Sequence, residues 1–374
     1  MLKQRVGITG QHGFIGQALF NTLGLFPNEF VRIPFKRDFF ENQTKLIKFV
    51  SECDVIIHLA ALNRHTDAMV IYETNLTLVH SLINALEKSK SKAHIIFASS
   101  TQEERDNLYG RSKKEGRNLL ANWASKSGGK FTGLIIPNVF GQFCNPYYNS
   151  FIATFSYQLI HGEKPKIDID LEVKLIYINE LVNIFIQEIR NNTEKFLVEV
   201  LNTSKYKVSK ILELLQSYEF QYFKNGSIPE LNSSFEVNLF NTFRSYIDYK
   251  NHFPVKYVKN IDPRGIFIEI IRLNIGGQVS LSVTVPGEVR GNHYHTNKIE
   301  RFSVIRGKAL IQLRQIGTID IISFFLDGDE PSYVDIPIWY THNIKNVGEE
   351  DLYTSFWINK FYDPNDSDTY FENV

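Results

Sequence analysis

Three groups of residues in this 374-residue chain have the types and spacing to do chemistry. The first is Thr9-Gly10-Gln11-His12-Gly13-Phe14-Ile15-Gly16, directly after the apolar run RVGIT. Gly10, Gly13 and Gly16 permit a tight turn, close approach of the backbone to a pyrophosphate, and close packing of the next helix on a sheet. A helix opening there offers unpaired N–H groups and a partial positive charge to an anion. The second group is Tyr109-Gly110-Arg111-Ser112-Lys113, with phenol and amine at i and i+4 on one helix face. A nearby ammonium lowers the phenol pKa, so Tyr109 can exchange a proton with a substrate oxygen near neutral pH. The preceding strand ends in Ala98-Ser99-Ser100-Thr101, and a hydroxyl there can bond the same oxygen. The third group is His293, His295 and Glu300, joined much later by His342. His-x-His on a strand puts both imidazoles on one face, and Glu300 joins them from the next strand. Three imidazoles and a carboxylate suit Zn, Fe, Ni or Mn.

The elements that must hold these residues change character near residue 250. Up to about residue 245, near-continuous apolar runs (RVGIT, FVRIPF, DVIIHLAA, AHIIFASS, GLIIPNVFG) alternate with helical patterns. That predicts a parallel sheet covered on both faces. From about residue 255, strand-like runs are separated by turn residues, which predicts an antiparallel sandwich or barrel. The expected domains are 1–248 and 255–374, joined through FRSYIDYKNHFPVKY. The end of the second strand reads Phe35-Lys36-Arg37-Asp38. Lys36 and Arg37 can pair with a 2′-phosphate, favouring NADP, whereas Asp38 argues for NAD.

Composition bounds the rest. Lys+Arg and Asp+Glu are both 41, so no basic excess points to nucleic acid. Cys53 and Cys144 cannot make a disulfide framework. No apolar run reaches the ~18 residues of a membrane span, and no signal peptide is legible. A cytoplasmic location is the expectation.

The GxxGxxG loop and the Ser…Tyr-x-x-x-Lys arrangement resemble the extended branch of the short-chain dehydrogenase/reductase superfamily. That resemblance implies Ser100 as the hydroxyl partner of Tyr109 and Lys113, with Thr101 second. It also implies that Gly10, Gly13, Phe14, Ile15 and Gly16, with Leu59 and Ala60 of DVIIHLAA, line a dinucleotide, and that Lys113 reaches its ribose. Asn75 and Pro137-Asn138-Val139-Phe140-Gly141 also match. Two positions depart: Ile135 and Ile136 stand where an Arg often precedes Pro-Asn, and the usual Tyr-Val-x-Asp reads Tyr177-Ile178-Asn179-Glu180.

The second half resembles the cupin superfamily. Gly287, His293, His295, Glu300 and Gly307 follow its first motif, and Pro337, His342 and Asn346 its second, with Trp339 at a glycine position. Asp262-Pro263-Arg264-Gly265-Ile266-Phe267-Ile268-Glu269 and Arg290-Gly291-Asn292-His293-Tyr294 are similar to cupin-type sugar-nucleotide 3,5-epimerases, with His295, Tyr340 and Lys298 as possible proton carriers. Nearly the whole chain, including Asn145-Pro146-Tyr147-Tyr148-Asn149-Ser150 and the tail FYDPNDSDTYF, resembles the bifunctional capsular-polysaccharide reductases of UDP-N-acetyl-L-fucosamine synthesis. The resemblance implies a homodimer, a UDP-sugar substrate, NADPH and a divalent metal, with zinc the first expectation. It also implies epimerisation at carbon 3 and reduction at carbon 4. The alternative is a sugar-nucleotide epimerase or dehydratase that retains its NAD(P), with the cupin serving only dimerisation. A cofactor-sensing regulator is disfavoured by the intact Tyr109 and Lys113.

Overall fold

The computed structural model describes residues 3–262, 265–267, 270, 271, 273, 276–360, 363 and 367–374. Pro263, Arg264, Ile268 and Glu269 of the epimerase-like stretch lie outside the described residues, as do Phe361, Tyr362, Pro364, Asn365 and Asp366 of the tail. By packing, the chain divides into two units, 1–154 with 167–211, and 155–166 with 212–374. The segment Phe243–Tyr257, read as a connection, carries the buried side chains of Arg244 and Tyr249.

In the first unit, strands β1 (Gln4–Thr9), β2 (Phe30–Ile33), β3 (Val55–His58), β4 (His94–Ser100) and β5 (Lys130–Ile136) appear where the apolar runs predict them. Helices α1 (Phe14–Leu23), α2 (Gln43–Glu52), α3 (Ala68–Lys88) and α4 (Leu108–Ser127) lie between them. The fifth run breaks at Pro137, which has no N–H to donate to a ladder. Its continuation, β6 (Asn138–Phe140), joins a separate small sheet with β7 (Glu172–Tyr177) and β9 (Ser204–Lys207). With β8 (Lys195–Glu199) the main sheet is parallel, in the order β2-β1-β3-β4-β5-β8. The chain leaves β1 towards β2 and returns across it to β3, which opens a crevice at the carboxyl ends of β1 and β3. Leu46, Phe49, Leu82, Phe97, Leu120 and Trp123 fill one face of the sheet. Cys53 and Cys144 are buried, no disulfide joins them, and burial pushes their thiols up to about 12 and about 11.

The second unit includes the helices Ser234–Arg244 and Tyr249–His252, and its part from residue 255 on bears out the all-β, antiparallel expectation. Short strands β10 (Val255–Lys256), β11 (Asn260–Asp262) and β12 (Gly265–Phe267) precede the larger ones. These are β13 (Gln278–Thr284), β14 (Val289–Tyr294), β15 (Glu300–Arg306), β16 (Lys308–Gln315) and β17 (Ile321–Asp327). They continue as β18 (Ser332–Ile336), β19 (Tyr340–Asn346), β20 (Leu352–Ile358) and β21 (Tyr370–Phe371). Among the described residues they form two five-stranded sheets, β10-β18-β15-β20-β13 and β17-β16-β19-β14-β21. Except at the hairpin β16–β17, the chain from β13 onward alternates between the sheets, so strands that pair are far apart in sequence. No described helix is long and apolar enough to cross a membrane.

Candidate active site and candidate metal centre

The ends of β1 and β3 are stitched together by Thr9. Its Oγ1 lies 2.7 Å from His58 Nδ1, and its carbonyl accepts from Leu59 N at 3.2 Å. This lays Leu59 and Ala60 directly against Gly10, which has φ +76° and whose Cβ, if present, would stand 2.9 Å from Ala60 N. A Cβ on Gly16 would come 2.2 Å from Gly10 O, so α1 sits close to the loop because glycine is there. Gly13 caps α1 without a side-chain hydrogen bond. The first amides of α1 are therefore left for a ligand, which fits the donor set a pyrophosphate needs.

A cavity of about 480 Å³ adjoins this loop. Gly10, Gly13, Phe14, Ile15, Gly16, Leu59 and Ala60 line it together with Ser100, Tyr109 and Lys113. Of the residues expected to bind the cofactor or take part in catalysis in this half, Lys36, Arg37 and Thr101 are not in the lining. Thr101 is exposed at the start of the turn Thr101–Glu104. Arg37 is exposed in the turn Arg37–Phe39 and does not line the cavity either. Asp38, the counter-argument to NADP, is paired with Lys45 at 2.6 Å, and that bond lowers its pKa.

Helix α4 brings Tyr109 and Lys113 to the cavity. Asn107 Oδ1 accepts from Gly110 N at 2.7 Å and fixes the first turn. Gly110 presses on the turn before it, where a Cβ would meet Gln102 O at 2.0 Å. Lys113 Nζ rests 4.7 Å from the Phe97 ring centre. Burial pulls Lys113 down to about 8, against the carboxylate of Glu103, which acts to raise it. The expected lowering of the Tyr109 phenol is corrected here. Burial pushes it up to about 12, with Tyr148 adding to the effect, because desolvation outweighs any help from a cation. Tyr109 therefore holds its proton, as an acid must. Ser100 Oγ accepts from Gln102 N at 3.2 Å, leaving its own proton to donate.

Sequence reasoning missed the group behind the amine. Glu103 accepts from Arg117 Nε and from Arg117 Nη2, the latter at 2.8 Å, in an ion pair about 6–7% exposed, and Ser99 Oγ also donates to it. The signal was present: Tyr109, Lys113 and Arg117 repeat every four residues along one helix face. Asn75 works from outside the cavity, accepting from Leu62 N at 2.7 Å and donating to Ser112 Oγ at 3.0 Å. Asn145, Tyr148, Asn149 and Ser150 of the stretch 145–150 line the cavity, as does Cys144 just before it. Arg64 Nη1 pins that segment through the carbonyls of Tyr147 (2.8 Å) and Tyr148 (3.2 Å).

In the second unit, His293 on β14 pairs directly with His342 on β19. His295 lies one residue beyond the end of β14, and Glu300 opens β15. One ligating atom from each of the four falls within 4.8 Å of the others. His295 Nε2 and His342 Nε2 approach Glu300 Oε2 at 3.1 and 3.3 Å, yet none of these three buried atoms has a hydrogen bond of good geometry. Converging, unsatisfied buried acceptors are what a cation would satisfy, and the nitrogen-and-oxygen donor set fits a divalent first-row metal. Burial and the neighbouring imidazoles push His293 down to about 4, keeping it neutral, as a ligand must be. Burial opposes ionisation of Glu300, but the close approach of the His295 and His342 imidazoles outweighs it and holds the carboxyl well below its usual range. Burial likewise works against a charge on His295, and Glu300 overcomes it and raises that pKa. Trp339 keeps the left-handed backbone of the glycine it replaces, φ +62°, stacked on Tyr294 at 5.5 Å. Of the proton-carrier candidates, His295 Nδ1 donates to Asp368 O, Lys298 Nζ donates to Ser367 O, and burial pushes Tyr340 up to about 12.

Comparison with known proteins matches both halves. The NAD dependent epimerase/dehydratase family matches residues 6–202, and the polysaccharide biosynthesis C-terminal domain matches residues 260–370. UDP-2-acetamido-2,6-beta-L-arabino-hexul-4-ose reductase of Pseudomonas aeruginosa is 30% identical over 98% of both chains. The crystal structure of the capsular polysaccharide assembling protein CapF from Staphylococcus aureus is 33% identical, covering 99% of this chain and 100% of that one, with TM-score 0.61. The chain belongs to the CapF-like family of capsular-polysaccharide reductase/epimerases. Like other members of the NAD dependent epimerase/dehydratase family it is an enzyme, built on a Rossmann-like unit. RMD from P. aeruginosa, solved in complex with NADPH, is 20% identical with TM-score 0.52 and shares the fold of the first half.

Proposed function

We propose that this CapF-like chain epimerises a 4-keto-6-deoxy UDP-N-acetylhexosamine at carbon 3 and then reduces its 4-keto group with NADPH. The product is UDP-2-acetamido-2,6-dideoxy-L-talose, a precursor of L-FucNAc. The observation that carries the reading is a single cavity in which the uncapped start of α1 shares walls with Ser100, Tyr109 and Lys113.

NADPH, when bound, supplies the hydride. The loop Gly10–Gly16 holds the pyrophosphate, Lys113 meets the ribose, and Arg37 pairs with the 2′-phosphate. Ser100 donates a hydrogen bond to the ketone oxygen. As the carbonyl carbon gains hydride, Tyr109 passes its proton to that oxygen, giving the alcohol. The second half, read as a cupin (residues 255–374, against 1–248 for the reductase domain), holds zinc through His293, His295, Glu300 and His342. The metal, when bound, supplies positive charge for an enolate. Removal of the proton at carbon 3 and its return on the opposite face leave the redox state unchanged. Hydride transfer then makes the sequence directional.

A homodimer in the cytoplasm completes the reading. Edge strand β13 turns Val279, Leu281 and Val283 to solvent at 57, 66 and 39% exposure, a row suited to a second copy. L281E should convert a dimer into a monomer in light scattering.

The decisive experiment incubates the protein with the 4-keto sugar nucleotide and NADPH in heavy water. One deuterium at carbon 3 and stoichiometric NADPH oxidation are expected. Absence of NADPH oxidation defeats the reductase reading and favours a cofactor-retaining epimerase.

A further inference from the structure

The tail at residues 367–374 has no part in the chemistry above, yet it closes against the loop that joins His295 to Glu300, two of the four clustered residues. Asp368 Oδ1 accepts from Thr296 N at 3.0 Å and from Thr296 Oγ1 at 2.7 Å. Its Oδ2 accepts from Asn297 N at 2.9 Å and Lys298 N at 3.1 Å. Three successive backbone N–H groups thus form a concave nest around one carboxylate. The Asp368 carbonyl takes His295 Nδ1 at 2.5 Å. A carbonyl has no proton to give, so Nδ1 carries the hydrogen, and the lone pair of the neutral ring lies on Nε2, beside Glu300. Strand β21 then adds to β14, setting Phe371 opposite His293 and Tyr370 opposite Tyr294. Asp368 has φ +40°, a left-handed backbone that Asp and Asn adopt more readily than other side chains.

The geometry points to Asp368 as a positioning residue of the metal centre. Its carboxylate sets the path of the chain between His295 and Glu300, and its carbonyl fixes the ligating tautomer of His295. This rests on the four-residue cluster being a metal site, as proposed above. Partners of this kind are typically worth about 10–100-fold in metal affinity.

The test uses full-length protein stripped of metal, with Co(II) and Zn(II) as probes. D368N keeps the left-handed backbone and the carbonyl but replaces one acceptor oxygen with an NH₂ group facing backbone donors. Zinc affinity, read by chelator competition, should fall about 10–100-fold, and the cobalt d–d spectrum should shift. E372Q serves as a control on the same tail, since Glu372 holds Arg314 at 2.7 Å instead. It should stay within about twofold of wild type by the same reasoning. Wild-type affinity and spectrum in D368N would overturn the inference while leaving the metal reading intact. A wild-type protein that binds neither ion would overturn the metal reading itself. Should D368N fail to fold, T296V deletes the hydroxyl donor to Oδ1 and, with it, the acceptor of Asn297 Nδ2 at 3.2 Å. A loss of affinity of a few-fold is then expected, and an unchanged spectrum and affinity would overturn the inference.

Discussion

The reductase-like and all-β halves position their chemistry by different means. In the first, the helix turns sequence spacing into geometry: Tyr109 and Lys113 share a face because they are four apart. In the second, no such conversion exists. His293 meets His342, 49 residues later, because β14 and β19 pair in one register. A one-residue slip there would turn the imidazole away. The glycine loop and the Tyr–Lys pair can therefore assemble from local contacts, while the His/Glu cluster waits for long-range pairing and for the tail.

The comparison can be broken most sharply at Tyr109. Y109F should cut reduction by about 10²–10⁴-fold, while solvent-deuterium exchange at carbon 3 continues. Loss of both activities would show that the halves do not divide the work. H293A should abolish stoichiometric metal, measured by elemental analysis, and with it the exchange, while NADPH still binds in fluorescence titration. Metal retained by H293A would undo the assignment of that half.

Lys113 tests the reductase half through stability. Folding lowers its pKa from 10.5 to about 8 by burial. The penalty for burying the ammonium is therefore full below pH 8 and fades as the pH rises to 10.5. K113M should be more stable than wild type at pH 7 by on the order of 3 kcal/mol, an advantage that shrinks to nothing near pH 10.5 in denaturant titrations. A pH-independent difference would mean that folding leaves the Lys113 pKa unshifted, so that burial does not penalise the ammonium. The smallest effect is expected at Arg37, an exposed side chain. R37A should raise KM for NADPH relative to NADH by about fivefold, and equal ratios would remove the argument for NADPH at this position.

What was legible in the sequence follows the same divide. The glycine loop, the strands that flank it and the Tyr–Lys pair were readable because each is a local pattern. Glu103 was not, because its role depends on the turn Thr101–Glu104 folding back under Arg117. The break at Pro137 was not read either, although the missing N–H was in plain view. In the second half the four clustered residues were readable only from motif spacing, and the hydrogen bonds that Asp368 accepts were invisible, since 70 residues separate it from Lys298. The phenol pKa went the wrong way because a charge partner can be guessed from spacing, whereas burial is a property of the whole unit.

Gly110 sits where α4 comes nearest to the backbone of Gln102, with no space even for a methyl group. Any side chain there would lever the opening turn of the helix outward and carry the Tyr109 oxygen with it. With Tyr109 as the proposed proton donor, about 1 Å of such drift would cost on the order of 100-fold in rate, so a library randomised at codon 110 and selected for turnover should return glycine almost alone.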